Sequence, residues 1–342
     1  MNIPYRTRRV LRNIAIVLLT LIIVAVSVWL VWMLWLDRYV VYTRDGAVFN
    51  FDSSAEDIRG EIAVPPETKA PVAIYYNDGE NAISTSTDMT QLYGYYIDSS
   101  TLQERELSEI VEIVEALPKG TTVLLDVKNI YGEFYYSSSM GPESDEVDIA
   151  TMDALISYLR TSGIYTAARV SAFCDYHHVL KYDTYGLPHI DGGYIWADDN
   201  YCYWMNPDNA GTINYLINIV AELKGLGFKE VVFDQFRFPE TDQILYDGDK
   251  TESLTNAAAT LVANCASETF AVSFVTELGR FTLPTGRTRV YVEDAAASQT
   301  ANIATDSGLA DPAVSLVFLT TSKDTRFDEY GVLRPITSAD ID

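Results

Sequence analysis

The period of the apolar positions changes three times along the chain. Residues 14–36 form one apolar run broken only by Thr20 and Ser27. At ~1.5 Å per residue it makes about 34 Å of helix, long enough to span a bilayer. Residues 39–51 then alternate apolar and polar positions around Asp45-Gly46, the signature of a β-hairpin. Residues 52–90, rich in Ser, Glu, Asn, Gly and Thr and holding Pro65-Pro66, read as linker with a short strand at 72–76. After residue 90, short β-rich runs alternate with amphipathic segments. The pattern predicts strands over 94–98, 122–127, 165–170, 230–234, 270–276, 289–292 and 315–320, and helices over 104–117, 149–161, 210–226 and 254–266. That is seven strands, or eight if 72–76 joins them. Such alternation without a Rossmann glycine fingerprint favours an α/β fold of the (β/α)8 barrel type.

Charge narrows the picture. The chain carries 48 acidic and 24 basic residues, a net charge of -24, which repels phosphate backbones and argues against nucleic-acid partners. Every acid follows residue 36, whereas Arg6, Arg8, Arg9 and Arg12 precede the apolar run. The expected topology is a single-pass anchor in the cell membrane, with a cytoplasmic N-terminus and an extracellular C-terminal domain. The run is too long for a signal-peptide core and ends in Trp29, Trp32 and Trp35, residues suited to the membrane interface. Cys174, Cys202 and Cys265, with His177, His178 and His189, match no metal-ligand spacing, so neither a metal nor another cofactor is expected. Two readings of the cysteines stand: a Cys174–Cys202 bridge, or three buried thiols.

In a parallel barrel, reactive groups gather where the strands end. The predicted strand ends carry Asp98, Asp126 followed by Lys128, Arg169, Asp234 and Glu277. Carboxylates converging on one rim, with no serine nucleophile elbow and no Walker loop, are what glycosidic cleavage uses: an acid for the leaving oxygen and a carboxylate as nucleophile or base. The candidate catalytic residues are Asp234, Glu277 and Asp126. Structural readings stand beside each: Asp234 in an ion pair with Arg237, Asp126 capping a loop, Arg169 neutralising an acid inside the barrel, and Asp98 as a helix N-cap. Strand alternation allows Asp126 and Lys128 to point inward together only if the strand has ended by Lys128. Tyr194, Trp196, Tyr201, Tyr203 and Trp204 crowd one loop and either stack on sugar rings or simply cover the barrel mouth.

The run Glu230-Val-Val-Phe-Asp-Gln-Phe-Arg-Phe-Pro239 resembles the Glu-Ile-Gln-Phe-Asp-Tyr-Val-Arg-Phe-Pro signature of the DUF4015 glycoside hydrolase domain of bacterial exported proteins. Leu125-Asp-Val-Lys-Asn-Ile-Tyr-Gly132, residues 163–175 and Trp204-Met-Asn-Pro207 are similar to further segments of that family in the same order. The resemblance covers about residues 90–240 and implies a (β/α) barrel with polysaccharide-directed activity. Past residue 240 it fades: Val272-Ser-Phe-Val-Thr-Glu-Leu-Gly279 stands where the family has Asp-x-Phe-Gly, and a Met-x-Tyr-Pro-Ser segment is missing.

The expected organisation is a basic flank over 1–13, a transmembrane helix over 14–36, a hairpin and linker over 37–90, and a barrel over 91–342. The fading resemblance and the short tail after Thr321 lead us to expect a barrel incomplete or degenerate at its C-terminal end. The expected activity is hydrolysis of cell-wall or extracellular polysaccharide, with Arg169, Lys128, Arg237, Tyr194, Trp196, Tyr203 and Trp204 contacting the sugar. The rival is a non-catalytic barrel that binds glycan or a protein partner at the cell surface.

Overall fold

A computed structural model describes Val24, Val26, Trp29, residues 40–43, 46–49, 89–277 and 279–336. The membrane-spanning segment expected over 14–36 lies outside the described residues apart from Val24, Val26 and Trp29, which are helical and exposed. Among the described residues no helix is long and apolar enough to cross a membrane. The linker over 52–88, with its strand at 72–76, also lies outside them. The chain divides into two compact units, Met1–Asn77 and Asp78–Asp342. In the first, β1 (Val40–Thr43) and β2 (Gly46–Phe49) pair antiparallel, with Thr43 opposite Gly46.

The second unit is a closed barrel of eight parallel strands. In chain order these are β3 (Tyr93–Ile97), β4 (Thr122–Lys128), β5 (Tyr165–Ser171), β6 (Glu230–Asp234), β7 (Ala271–Val275), β8 (Val290–Glu293), β9 (Leu316–Leu319) and β10 (Gly331–Pro335). The helices α1 (Ser99–Glu104), α2 (Leu107–Ala116), α3 (Ile149–Ser162), α4 (Tyr176–Lys181), α5 (Ala210–Leu226), α6 (Lys250–Cys265), α7 (Thr300–Asp306) and α8 (Pro312–Ser315) lie between them. The barrel is complete, which corrects the expectation of a degenerate C-terminal end. The tail after Thr321 supplies β10, which pairs with β9 on one side and β3 on the other, so closure needs nothing from 72–76.

Burial on both faces explains the composition of the strands. β4 reads Thr-Val-Leu-Leu-Asp-Val-Lys and is buried at every position, as parallel strands covered by helices must be. Its outward Val123, Leu125 and Val127 join the layer packed against helices, where Leu155, Leu216 and Leu261 also lie. Its inward Leu124 meets Ala167, Val232, Tyr291, Val317 and Leu333 inside the barrel. Each such aliphatic side chain contributes about 1.5–3 kcal/mol on burial. Capping sets the helix ends: Asp148 and Asp249 accept backbone N–H bonds at the starts of α3 and α6, and Gly227 ends α5 at φ 99°, a conformation costly for residues with a Cβ. At the strands' N-terminal end, Glu230 is fully buried and accepts from Arg289 at 2.7 Å, Tyr165 at 2.9 Å and Tyr291 at 3.1 Å.

Candidate active site

Side chains alternate along a strand, so positions two apart share a face. Two residues beyond the interior Leu124, Ala167, Val232 and Tyr291 stand Asp126, Arg169, Asp234 and Glu293. These four strand ends therefore face the barrel axis, one step above its apolar filling. Three of them, Asp126, Arg169 and Asp234, line a cavity of 280 Å3 at the carboxyl ends of the strands, together with Lys128, Tyr135 and Ser171.

The guanidinium of Arg169 organises the acids. It grips Asp126 with Nε to Oδ1 at 2.6 Å and Nη2 to Oδ2 at 3.0 Å, and its Nη1 donates to Glu293 Oε1 at 2.6 Å. Asp126 Oδ2 also accepts the Ser99 N–H at 2.9 Å. Asp234 is partly buried and accepts from the Gln235 N–H at 2.6 Å. Among the described residues no other donor reaches it. Three carboxylates then share one guanidinium, so ionising all of them leaves uncompensated negative charge. Burial pushes the Glu293 carboxyl up, and the charge of Asp234 adds to the effect while Arg169 opposes it. Burial also raises Asp126 against the pull of Arg169, with Asp234 again adding. Arg169 is held firmly protonated by these acids despite its own burial. Asp126 accepts three of these bonds, two of them from Arg169, and Glu293 accepts one, so of the two raised carboxyls Glu293 is the less committed to its charged form.

Backbone geometry singles out the same two strand ends. Gln235, directly after Asp234, has φ 50°, and Asp294, directly after Glu293, has φ 55°. A residue with a Cβ held in the left-handed region costs about 1–3 kcal/mol, and such strain collects at functional sites. Tyr201 is the third such residue among those described.

The other sequence candidates divide by where they are held. Glu277 is not brought to the cavity: β7 ends at Val275, the chain turns, and Glu277 is exposed and paired with Arg280 at 2.8 Å. Glu293, outside the cavity lining but held by Arg169 at 2.6 Å, is the further carboxylate that the strand ends bring to this guanidinium. Lys128 does share the cavity with Asp126 even though β4 runs on through it, because a bulge between the two resets the alternation. Its ammonium, however, is spent on Asp175 at 2.8 Å and the Ser171 carbonyl at 2.9 Å, both ionic side chains being fully buried. Asp98 caps α1: burial pushes its carboxyl up, but bonds from Thr101 bring it below the usual range. Arg237 does not pair with Asp234; it lies over the Trp204 ring at 4.9 Å.

The aromatic loop is mostly structure. Trp196 and Trp204 are buried, with their indole N–H groups on Gln243 and Asp198. They offer no face to a sugar, which corrects the platform expected of them. Tyr203 stacks on Tyr176 and Tyr194 on His189, and Tyr194 and Tyr201 are the strongly exposed rings of the loop. The three cysteines are free and buried, and the Cys174 thiol is pushed up by its hydrogen bond to Cys202 and by burial.

The sequence model of the family described as "Putative glycosyl hydrolase domain" (DUF4015) matches residues 94–275, from β3 through β7. The chain belongs to this family. The matched stretch carries Asp126, Arg169 and Asp234 and stops short of Glu293. No curated protein matches the chain. Among solved structures, a hypothetical protein from Ruminiclostridium thermocellum ATCC 27405 is 21% identical, with 53% of this chain and 96% of that one covered and a TM-score of 0.45. The galactosidase domain of the α-galactosidase–sucrose kinase AgaSK is 8% identical, with 75% and 39% covered and a TM-score of 0.50. The GH36 α-galactosidase AgaA from Geobacillus stearothermophilus is 11% identical, with 74% and 40% covered and a TM-score of 0.48. The chain thus spans about two fifths of either galactosidase, and at these identities the likeness concerns the barrel fold alone.

Proposed function

We propose that this DUF4015 member is a glycoside hydrolase, anchored by residues 14–36 with its barrel outside the cell, that acts on cell-wall or extracellular polysaccharide. The observation that carries the reading is the division of labour among the rim carboxylates. Asp234 stands largely unpartnered at the cavity, while the Glu293 carboxyl is pushed up. Glu293 would donate a proton to the glycosidic oxygen, and Asp234 would attack the anomeric carbon or activate a water against it. Arg169, fixed by Asp126, would balance the charge as the proton leaves Glu293. The export topology is supported by the four arginines before the apolar run and the absence of acids before residue 37.

The test uses the full chain in detergent with peptidoglycan and exopolysaccharide substrates, and reads released reducing ends. Asp234→Asn should abolish release with the melting curve unchanged. Persistence of release in that variant would overturn the assignment. NMR of the first-formed anomer then reports retention or inversion. One observation favours the rival, a binding barrel without turnover: the salt bridges of Arg169 occupy two of the three rim carboxylates. That reading predicts glycan binding that survives Asp234→Asn and no released ends from the wild type.

A further inference from the structure

A second cavity, of 580 Å3, shares no lining residue with the one at the barrel mouth. It is walled by the 139–142 loop, α4, the 3-10 turn Asp183–Tyr185 and the first turns of α5. Its floor is aromatic. Tyr182 and Tyr185 stack with centroids 5.4 Å apart, and His178 lies 5.0 and 5.4 Å from them while resting on Tyr215 at 3.6 Å. Tyr182 is exposed, and besides these two rings it meets the ammonium of Lys181, itself an exposed side chain. On the opposite wall Asn214 and Asn218, one helical turn apart, present exposed amides.

The charge of the lining is as telling as its shape. The chain has 48 acidic residues, yet none of the 14 residues around this cavity is acidic. Burial also keeps His178 neutral at physiological pH, its pKa pulled down to about 4. Its Nε2 is buried and has no hydrogen-bond partner among the described residues, a state that buried polar atoms seldom keep. Tyrosine rings and two exposed amides suit a ligand with apolar C–H faces and a rim of hydroxyls. A purely apolar ligand would leave these amides unpaired, and for an anion the lining holds a single lysine, Lys181.

We infer that this cavity is a second carbohydrate site, which holds a neutral sugar unit of the polymer away from the bond being cut. The inference rests on the glycan-directed reading above. Two sites on one chain raise the local concentration of polymer at the barrel mouth without any change in the catalytic groups.

The experiment is co-sedimentation of the full chain in detergent with chitin, cellulose and an insoluble α-glucan. The wild type is expected to bind at least one polymer. The Tyr182→Ala/Tyr185→Ala double variant should lower its affinity about tenfold or more, and the Phe/Phe double variant should retain it. Gly211→Ala is an independent probe from the other wall, since its Cβ would lie 2.3 Å from Tyr185 Cζ and displace the ring. It should weaken binding in the same way, with each variant's melting curve confirming its fold. Undiminished binding by folded Tyr182→Ala/Tyr185→Ala, or no binding of the wild type to any of the three polymers, overturns the inference. Asp234-dependent release of reducing ends without tyrosine-dependent binding removes the second site and leaves the hydrolase reading intact. Tyrosine-dependent binding without release does the reverse.

Discussion

At the scale of single residues, Glu293 and Lys128 show how surroundings set what an ionisable group does. The Glu293 carboxyl is raised by burial and by Asp234, so the folded protein keeps its proton to a higher pH than the unfolded chain does. The stability this contributes is present at low pH and is lost as pH rises from the usual carboxylate range through the raised value. An acid catalyst loses activity over the same interval, so kcat/KM should fall on the alkaline side as Glu293 ionises. Glu293→Gln should remove that limb and cost about 10²–10⁴-fold on a polysaccharide, but far less on an aryl glycoside whose leaving group needs no proton. Equal losses on both substrates would exclude Glu293 as the acid. Lys128 works differently: with Asp175 it forms a pair closed to solvent, and removing one partner strands the other at about 3–5 kcal/mol. Lys128→Met should lower the urea midpoint accordingly, and adding Asp175→Leu should recover much of the loss. The same pair explains Gly132, at φ 85°, where a Cβ would lie 1.9 Å from Asp175 Oδ1.

At the scale of elements, one residue of strand length decided which acids reach the site. Asp126, Arg169 and Asp234 were legible because their strands end near where the apolar runs stop. The strand read as 289–292 reaches Glu293, which hid the fourth group, and the strand read to 276 ends at Val275, which misplaced Glu277. Hydrophobicity marks the body of a strand but not its last residue, where turn geometry takes over. It also cannot separate a tryptophan that covers a core from one that meets a ligand, so Trp196 and Trp204 read alike in either role. The α4 segment adds a pH response of its own. His178 is kept neutral by burial, with the charges of Lys128 and Lys181 adding and Asp175 opposing, so its pKa falls from 6.5 to about 4. The unfolded chain therefore binds more protons in that interval, and stability drops as pH falls from 6.5 towards 4. The melting temperature of His178→Gln should fall less steeply than that of the wild type across this window. Parallel slopes would mean that His178 carries none of the acid sensitivity.

At the scale of the whole molecule, closure of the barrel depends on the segment that gave the weakest sequence signal. Gly331-Val-Leu-Arg-Pro335 is five residues long and contains an arginine and a proline, so no β-rich run stands out. Yet Val332 pairs with Tyr93 and Gly331 with Val317, joining the last strand to the first. Phe327, Val332 and Leu333 are almost wholly buried there, and at about 1.5–3 kcal/mol each their loss approaches the whole stability of an ordinary domain, about 5–15 kcal/mol. Removing them would also open β3 and β9 as unpaired edges, which recruit other chains. A chain ending at Thr321 should therefore lose its cooperative thermal transition and its near-ultraviolet circular dichroism, and it should aggregate. The cavity at the barrel mouth would be lost with it, because Asp126, Arg169 and Glu293 come from three different strands and meet only in a closed ring. A truncated chain that still melts cooperatively and still depends on Asp234 for activity would show instead that the seven strands from β3 to β9 hold the site without the eighth.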